Sequence, residues 1–517
     1  MSDDRGPKTE NASTIAQLLE AGSDTHTAIT SPGGVPLSYS ALRTQLRGIV
    51  SALNERGIGA NDRVAIVLDN GPEMATAFLC IAAGATAAPL NPSYRADEFE
   101  FYLTDLRAKL LVVAAGKETP ATAVAAKLGL PIAHLVAHPN RGAGSFELEF
   151  PTTMTPTEPT TPRLASPDDI ALVLHTSGTT SRPKIVPLAH RNVCASAANI
   201  RGTLSLTNKD IGLVVMPLFH IHGLIAALLA PLSAGGTVWC TPGFNALKFF
   251  AWLSEAKPTW YTAVPTMHQA ILLRAPKNED AVAGSKLRFI RSSSSSLPPT
   301  VLAELERVFR TRVAEAYGMT EAAHQMASNP LPPRERKPGT VGVAAGPEIR
   351  VVDEQGKTVA VGARGEIVIR GGNVMTAYEN NPDANATAFI DGWFRTGDVG
   401  TMDHEGYLSI VGRLKEIINR GGEKISPREV DEIIMEHPAV HQCVTFAVPH
   451  DMLGEEVGAA IVLREGYTAD EKELRAFAAI KLADFKVPKR IVIVKEIPVG
   501  ATGKLQRIGL AAKLGLS

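Results

Sequence analysis

Apolar runs of strand length alternate with segments of helical periodicity over much of this chain. Residues 63–68 and 110–114 are runs of the first kind, whereas residues 38–56 carry apolar side chains at helical spacing. This alternation continues to about residue 320 and predicts parallel α/β layers. Residues 341–412 hold short strand patterns between glycines and predict a small β-rich subdomain, and helix and strand mix again from residue 416.

Size and charge limit the kinds of partner that the chain can have. Its 517 residues are too many for one hydrophobic core. The net charge is −1 and 20% of the residues are charged, so neither a nucleic-acid nor a membrane partner is expected. The cysteines lie far apart without metal-ligand spacing, which is typical of reduced intracellular thiols. They are Cys80, Cys194, Cys240 and Cys443.

The two ends of the chain and its most apolar segment bear on location. The first twelve residues are polar, without the apolar core of a signal peptide. Residues 221–232 are apolar but contain His222, Gly223 and Pro231, so they are too short and too interrupted to span a bilayer. The chain ends Leu-Gly-Leu-Ser instead of Ser-Lys-Leu. We therefore expect a cytoplasmic protein, with the peroxisome as the alternative.

A Ser/Thr/Gly loop follows the apolar run 169–174. Its sequence is His175-Thr-Ser-Gly-Thr-Thr-Ser-Arg-Pro-Lys184. Such a loop can turn backbone N–H groups and hydroxyls around an anion, with Arg182 and Lys184 adding positive charge. It indicates a site for a nucleotide triphosphate, and a surface Ser/Thr turn is the alternative. The spacing of a Walker loop is absent from the sequence, which argues against a P-loop kinase or ATPase.

Two later motifs add candidates for the rest of a nucleotide site. Tyr317-Gly-Met-Thr-Glu321 follows the strand pattern 312–316, and an aromatic ring beside a carboxylate suits a purine with Mg²⁺ next to it. Asp398 ends Trp393-Phe-Arg-Thr-Gly-Asp and can accept hydrogen bonds from both ribose hydroxyls. The structural alternatives are a buried tyrosine at a strand end and an aspartate in a turn.

The last two motifs lie where the chain changes character. Arg413 can contact ribose or phosphate, and Lys415 can act as a hinge because hinges lie at the ends of elements. Gly421-Gly422 permits the close approach of a thin ligand. Lys504 ends a Gly-rich loop and can stabilise charge on a transferring phosphate, although a lysine in such a loop is usually solvated.

These five segments, in this order, resemble the adenylate-forming superfamily of acyl-CoA synthetases, luciferases and peptide-synthetase adenylation domains. The resemblance implies an α/β fold with two α/β subdomains and a β-barrel-like one in residues 1–412. A hinge at 413–415 and a small mobile α+β C-terminal domain in residues 416–517 would follow. It also implies two half-reactions: a carboxylate attacks Mg·ATP to give an acyl-adenylate and pyrophosphate, and CoA then takes the acyl group.

The resemblance assigns roles residue by residue. Thr176, Ser177, Gly178, Thr179, Thr180 and Lys184 hold the triphosphate, Tyr317 the adenine, Thr320 a phosphate, Glu321 the Mg²⁺, Asp398 and Arg413 the ribose, and Gly421 and Gly422 line the pantetheine passage. Lys504 serves adenylation, with Thr320, Glu321 and His220 as the other expected catalytic residues, and Lys415 is the expected hinge.

The expected acyl pocket is rich in hydrogen-bond donors. Its segments are 217–222, 261–268, 288–296 and 322–324. A long apolar acid would not need these donors, but an ionised second carboxylate would, because burying an unpaired charge is unfavourable. The segments also resemble those of plant and fungal oxalate–CoA ligases. We expect oxalate as substrate, its second carboxylate held by His220, Ser292, Ser294 and His324.

Alternatives remain for the pocket and for the activity. His222 and His268 can be structural histidines, and the serines can form a turn that lines the adenine. The second enzymatic hypothesis is a coumarate- or fatty-acid–CoA ligase of the same fold, and a different class is an inactive relative that only senses nucleotide. The expected partners are a small carboxylate, ATP and CoA, and the sequence leaves a monomer and a homodimer equally open.

Overall fold

The computed structural model describes residues 12–156, 161–176, 183–498 and 505–516. Within these ranges the strands, in chain order, are β1 (Thr27–Thr30), β2 (Leu37–Ser38), β3 (Arg63–Val67), β4 (Thr86–Pro89), β5 (Leu110–Ala114), β6 (Ile132–Ala137), β7 (Phe146–Glu149), β8 (Ile170–His175), β9 (Ile185–Ala189), β10 (Ile211–Val214), β11 (Thr237–Cys240), β12 (Trp260–Ala263), β13 (Phe289–Ser292), β14 (Arg312–Met319), β15 (His324–Ser328), β16 (Val343–Ala344), β17 (Glu348–Val352), β18 (Gly365–Arg370), β19 (Phe389–Ile390), β20 (Trp393–Met402), β21 (Leu408–Arg413), β22 (Ile418–Arg420), β23 (Glu423–Ile425), β24 (Val440–His450), β25 (Gly454–Leu463) and β26 (Arg490–Ile493).

The α-helices of the same ranges are α1 (Ile15–Leu18), α2 (Tyr39–Asn54), α3 (Pro72–Ala82), α4 (Ala96–Leu106), α5 (Pro120–Leu128), α6 (His190–Thr203), α7 (Ala230–Ser233), α8 (Phe249–Ala256), α9 (Pro265–Arg274), α10 (Glu279–Ala283), α11 (Pro299–Phe309), α12 (Pro382–Ala388), α13 (Pro427–Met435), α14 (Glu471–Ala479) and α15 (Leu510–Lys513). The apolar spacing in residues 38–56 predicted a helix because α2 buries one face, which includes Leu42, Leu46 and Val50.

In the described residues, nine strands form the large sheet, in the order β16-β15-β14-β13-β12-β10-β11-β1-β2. Its strands from β14 to β1 are parallel, and antiparallel strands lie only at its two ends. The carboxyl ends of parallel strands meet at one edge, which is where open α/β sheets bind ligands. β12, β13 and β14 therefore bring the predicted pocket segments 261–268 and 288–296 beside Tyr317.

A second layer, here called the N-terminal sheet, has the described order β7-β6-β5-β3-β4-β8-β9. β3 to β6 and β8 run parallel, and β7 and β9 are antiparallel edge strands. Because β8 and β9 form a hairpin, the predicted phosphate loop joins two antiparallel strands instead of leading into a helix. A hydrogen bond of 2.7 Å from the Tyr39 hydroxyl to the Gly236 carbonyl is one of the contacts between α2 and the large sheet. The predicted parallel α/β layers are confirmed.

The β-rich sheet consists of β17, β18, β20, β19 and β21 within the described chain, all antiparallel. It covers residues 348–413, so the β-rich subdomain expected at 341–412 is confirmed. β20 is its longest strand, and its register places Asp398 opposite Arg413. Two motifs that lie fifteen residues apart in sequence are thereby held side by side.

The C-terminal sheet is built from β22 to β26, in the described order β23-β22-β25-β24 with β26 beside β25. α13 and α14 cover an apolar core that includes Ile418, Val430 and Leu474. Among the hydrogen bonds that join this unit to the rest of the described chain, Arg428 Nη1 donates to the Ile410 carbonyl at 2.8 Å, and Gln442 Nε2 donates to Gln269 Oε1 at 3.4 Å.

The most apolar segment of the chain lies inside the protein. Residues 222–229 form a π-helix, and every residue in it is buried against α6 and α7. Across the described ranges, the helices are too short or too polar to cross a membrane.

The buried histidine of α9 makes stability depend on pH. Burial lowers the pKa of His268 to about 3 from 6.5, so the folded protein holds this ring neutral while the unfolded chain protonates it below pH 6.5. The stabilisation is fully present above pH 6.5 and is lost as the pH falls toward 3.

We therefore predict that lowering the pH from 7 to 5 destabilises the wild-type protein more than His268→Gln, by about 2 kcal/mol. Urea denaturation at the two pH values measures this difference. His404→Gln is the control because the side chain of His404 is 81% exposed. Parallel pH dependence in the wild type and His268→Gln would contradict the assignment.

Candidate functional site

The buried carboxylate of Asp398 binds two other predicted site residues, Tyr317 and Arg413. The Tyr317 hydroxyl donates to Asp398 Oδ2, and Arg413 Nε donates to Asp398 Oδ1 at 2.8 Å. Asp398 is only 5% exposed, so the two donors replace the water that its charge would otherwise need. Burial, and then the charge of Asp398, raise the pKa of Tyr317 well above its usual value, and Asp398 raises the pKa of Arg413. The tyrosine therefore stays protonated and donates.

The glycine of the Tyr317-Gly-Met-Thr-Glu321 motif is required by packing. A Cβ on Gly318 would lie 1.9 Å from the carbonyl oxygen of His324. The hairpin of β14 and β15 can therefore close only with glycine at this position. Closure brings Tyr317, on β14, and His324, on β15, to the same end of the large sheet.

The candidate metal ligand lies in the short 3-10 helix 320–322, which Thr320 begins. Glu321 is 7% exposed, and its Oε1 accepts a hydrogen bond of 2.8 Å from the Tyr378 hydroxyl. Burial, and then Glu321, raise the pKa of Tyr378. One carboxylate with phosphate oxygens is a ligand set that Mg²⁺ accepts, so Glu321 fits the ion. When bound, Mg²⁺ neutralises phosphate charge.

The base of the predicted phosphate loop is closed by two hydrogen bonds. The Thr176 N–H donates to the Lys184 carbonyl at 2.9 Å, and the Lys184 N–H donates to Thr176 Oγ1 at 3.1 Å. The Lys184 ammonium lies 4.4 Å from the ring centroid of Tyr378. Tyr378 thus connects the loop base to the metal candidate. Ser177, Gly178, Thr179, Thr180 and Lys504 lie outside the described residues.

The segments of the predicted acyl pocket meet in a cluster around His222. Its Nδ1 lies 3.0 Å from Ser294 Oγ, its Nε2 lies 2.6 Å from Thr262 Oγ1, and its ring stacks on His324 at a centroid distance of 4.7 Å. The backbone N–H of His222 donates to His220 Nδ1 at 3.3 Å. His220, Ser294 and His324, three of the predicted substrate ligands, are therefore brought together.

Ser292 is placed differently from Ser294. It is fully buried on β13, and its hydroxyl has no hydrogen-bond partner among the described residues. His268 lies on α9 with its Nδ1 3.3 Å from the Tyr261 hydroxyl. The histidine that the sequence left as a structural alternative, His222, thus lies at the centre of the cluster, whereas His268 packs behind it.

The remaining predicted residues lie at the start of the C-terminal unit. Lys415 is exposed in the turn between β21 and β22, where the Glu416 and Ile417 N–H groups donate to the Arg413 carbonyl at 2.9 and 3.0 Å. Gly421 and Gly422 connect β22 to β23 with φ values of 58° and 98°, which favour glycine. They are not part of the cluster around Asp398, and their roles stay predictions.

Sequence reasoning missed Tyr378 and Arg507 as functional candidates, and within the predicted pocket segments 261–268 and 288–296 it did not single out Thr262 and Arg291. Arg507 is three residues beyond Lys504; it donates to Asp431 Oδ2 at 2.9 Å and to Glu416 Oε2 at 3.3 Å. The turn that holds Lys415 is therefore tied to the segment that follows Lys504. None of the four belongs to a spacing pattern, because their partners are distant in sequence.

The comparisons with known proteins agree with this geometry. The AMP-binding enzyme family matches residues 20–379, and the AMP-binding enzyme C-terminal domain matches residues 429–504. The oxalate–CoA ligase of Arabidopsis thaliana is 45% identical over 485 residues, which cover 93% of this chain and 94% of that protein. The oxalate–CoA ligase of Saccharomyces cerevisiae is 42% identical over 468 residues, 86% of each chain.

A solved structure matches the whole arrangement. ATP-bound MatB from Rhodopseudomonas palustris superimposes with a TM-score of 0.87 and 30% identity, covering 97% of this chain and 98% of that one. The apo form of the same protein gives 0.77 over the same shares of the two chains. The arrangement of the described residues is thus nearer to the nucleotide-bound form.

Two α/β layers, a β-rich sheet and a small C-terminal unit, with a buried carboxylate between the large sheet and the β-rich sheet, define an adenylate-forming enzyme. The chain belongs to the AMP-binding enzyme family and is an acyl-CoA synthetase. The superfamily resemblance and the fold class predicted from the sequence are confirmed.

Tyr378 offers a test of the metal candidate. Loss of its hydroxyl leaves Glu321 Oε1 without its donor, so the carboxylate is less well oriented. For Tyr378→Phe we predict a Mg²⁺ requirement about 10- to 100-fold higher, as for outer partners of other metal ligands, measured by pyrophosphate release during Mg²⁺ titration.

Tyr407→Phe is the matched control, because the buried Tyr407 hydroxyl donates to the Glu335 carbonyl instead. Its Mg²⁺ dependence should equal that of the wild type. Identical Mg²⁺ titration curves for Tyr378→Phe and the control would contradict the hypothesis that Glu321 binds Mg²⁺ in an orientation set by Tyr378.

Proposed function

We propose that this chain is an oxalate–CoA ligase. It activates oxalate as oxalyl-adenylate with Mg·ATP and then forms oxalyl-CoA, releasing AMP and pyrophosphate. The observation that carries the proposal is the acyl pocket: a buried arginine, two stacked imidazoles and two hydroxyls replace the apolar wall that a fatty or aromatic acid requires. The oxalate–CoA ligases of Arabidopsis thaliana and Saccharomyces cerevisiae, at 45% and 42% identity, support it.

In the first half-reaction, a carboxylate oxygen of oxalate attacks the α-phosphorus, and the bond between the α-phosphorus and the bridging oxygen breaks. Asp398 accepts from the ribose hydroxyls on its remaining lone pairs, with Arg413 and Tyr317 fixing its position. Thr320 and the loop from Thr176 to Lys184 donate to phosphate oxygens, and Lys504 stabilises the charge that develops. Positioning and charge neutralisation account for most phosphoryl-transfer catalysis.

In the second half-reaction, the thiolate of CoA attacks the acyl carbonyl and AMP leaves. We assign residues 1–412 to the nucleotide-binding domain, 413–415 to the hinge and 416–517 to the mobile C-terminal domain. Gly421 and Gly422 line the pantetheine passage. The hydrogen bonds of Arg507 to Glu416 and Asp431 support this division, because they make the end of the chain move with the turn after the hinge.

The working form that we propose is a cytoplasmic monomer or homodimer. The near-neutral net charge of −1 supports neither membrane nor nucleic-acid recruitment.

A substrate panel tests the carboxylate. We expect pyrophosphate release to be fastest with oxalate, slower with malonate and absent with coumarate and octanoate, because the last two leave the pocket donors without partners. Strong release with octanoate and none with oxalate would replace the proposal by a fatty-acid–CoA ligase, and nucleotide binding without CoA-dependent turnover would indicate a sensor.

Lys504→Ala separates the two half-reactions. Adenylation should fall on the order of 100- to 1000-fold, as on loss of one preorganised donor, while thioester formation from supplied oxalyl-adenylate continues. Stopped assays of pyrophosphate and of oxalyl-CoA give the two rates. Lys513→Ala, at an exposed lysine of the same tail, should leave both unchanged. Intact adenylation in Lys504→Ala would show that another group performs this role.

A further inference from the structure

Arg291 is a fully buried cation beside the His222 cluster of the predicted acyl pocket. It lies on β13 with 0% exposure, and no carboxylate of the described residues forms an ion pair with it. Nη1 lies 3.3 Å from Thr262 Oγ1 and 3.4 Å from His222 Nε2, and Nη2 donates to Gln325 Oε1 at 3.2 Å. Burial lowers the pKa of Arg291 to about 9. A buried charge with only neutral partners is unfavourable for stability. Its presence here indicates that Arg291 has a functional role.

The hydrogen bonds that leave Arg291 can run in only one direction. A guanidinium donates and never accepts, so both atoms that Nη1 reaches, Thr262 Oγ1 and His222 Nε2, accept from it. Because Nε2 is an acceptor, the Thr262 hydroxyl is the donor in the 2.6 Å contact between Oγ1 and Nε2. With Nε2 as an acceptor, the neutral His222 ring carries its hydrogen on Nδ1. That Nδ1–H donates to Ser294 Oγ at 3.0 Å. The oxygen of Ser294 is thus used as an acceptor, and its hydrogen points away from His222.

Ser294 lies at the accessible end of this chain of hydrogen bonds. Its φ of 74° lies in the left-handed region, a backbone conformation that is strained in a residue with a side chain. It is half-buried, whereas Arg291, Thr262 and His222 are buried behind it. Ser294 is therefore the end of the chain of donors that a substrate can reach.

We propose that Arg291, Thr262 and His222 form a one-way relay that turns the Ser294 hydroxyl into a donor for the second carboxylate of a short dicarboxylate. The inference rests on the proposed function and deepens it. Arg291, Thr262 and His222 are positioning residues, because the relay transmits the polarising effect of the cation while keeping it out of the pocket. Hydrogen bonds in such a chain strengthen one another at low dielectric.

The relay also explains how the enzyme would discriminate a dicarboxylate from a monocarboxylate. A monocarboxylate of similar size presents hydrogen or methyl where the second carboxylate would lie, and leaves the polarised Ser294 hydroxyl unpaired. Sites built to hydrogen-bond one substrate reject analogues that lack the partner much better than apolar pockets reject extra bulk. Selectivity for a dianion over a monoanion is therefore the property that the relay controls.

Thr262→Val removes the hydroxyl that makes the 2.6 Å contact with His222 Nε2 and leaves only the longer 3.4 Å contact from Arg291, with almost no change of shape. We expect the KM for oxalate to rise roughly 10- to 100-fold, the range for a hydrogen bond to a charged group, with a smaller change in kcat. The kcat/KM for acetate should change by less than about threefold, because acetate makes no second-carboxylate contact. Thr262→Ser, which keeps the hydroxyl, should restore most of the selectivity.

Thr241→Val is the matched control. Thr241 is equally buried, at the end of β11, and its hydroxyl donates to the Val214 carbonyl at 2.7 Å, outside the relay. It should keep the wild-type ratio of oxalate to acetate activity. Circular dichroism and thermal unfolding compare the folding of the Thr262 and Thr241 variants.

The outcomes are separable. Lost selectivity in Thr262→Val with selectivity retained in Thr262→Ser and Thr241→Val supports the relay. A wild-type enzyme that prefers oxalate, with equal losses on oxalate and acetate in Thr262→Val, overturns the relay alone and leaves the proposed function standing. A wild-type enzyme that prefers acetate overturns both.

Discussion

The carboxylate of Asp398 is the contact on which the arrangement of the site depends. It is buried and ionisable, and such a group is stable inside a protein only when donors surround it. One donor, Tyr317, comes from the large sheet, and the other, Arg413, comes from the last residue of β21. The contact therefore joins the large sheet, the β-rich sheet and the start of the hinge region at one point. The proposed ribose ligand is therefore fixed by contacts from both sheets.

The local periodicity of apolar residues predicted many of the helices and strands. Helix α2, strand β3 and strand β5 lie where the spacing of apolar residues placed them, because burial of one face is a local property of sequence. Sheet order is different. β1 pairs with β11, about two hundred residues away, and nothing within four residues of either strand encodes that choice. The hairpin of β8 and β9 illustrates the same limit, since a loop with an anion-binding composition says little about which element follows it.

The site shows a similar division. Residues that would touch the nucleotide lie in motifs, because a ligand with fixed geometry demands particular residue types at particular spacings. Residues that orient them do not. Tyr378 contacts Glu321 across 57 positions, and Arg291 lies in a short strand whose four residues are all buried, where the sequence alone would suggest an exposed charge. His222 could be read either way from the sequence, and only its contacts with Thr262 and Ser294 distinguish a central position from a structural one.

The same junction bears on how two reactions share one site. The side chain of Arg413 is bound to Asp398, while its carbonyl accepts from Glu416 and Ile417 in the turn that contains Lys415. Glu416 in turn accepts from Arg507, close in sequence to Lys504. A continuous set of contacts thus runs from the proposed ribose ligand through the proposed hinge to the segment after the proposed adenylation lysine. In the proposed mechanism the ribose hydroxyls add to the two donors of Asp398 while Arg413 stays bound, so the nucleotide and the first residue of the proposed hinge share one carboxylate. A continuous route from the proposed nucleotide site to the proposed domain rotation thus runs through one shared carboxylate, and it is separate from the proposed relay at the acyl group.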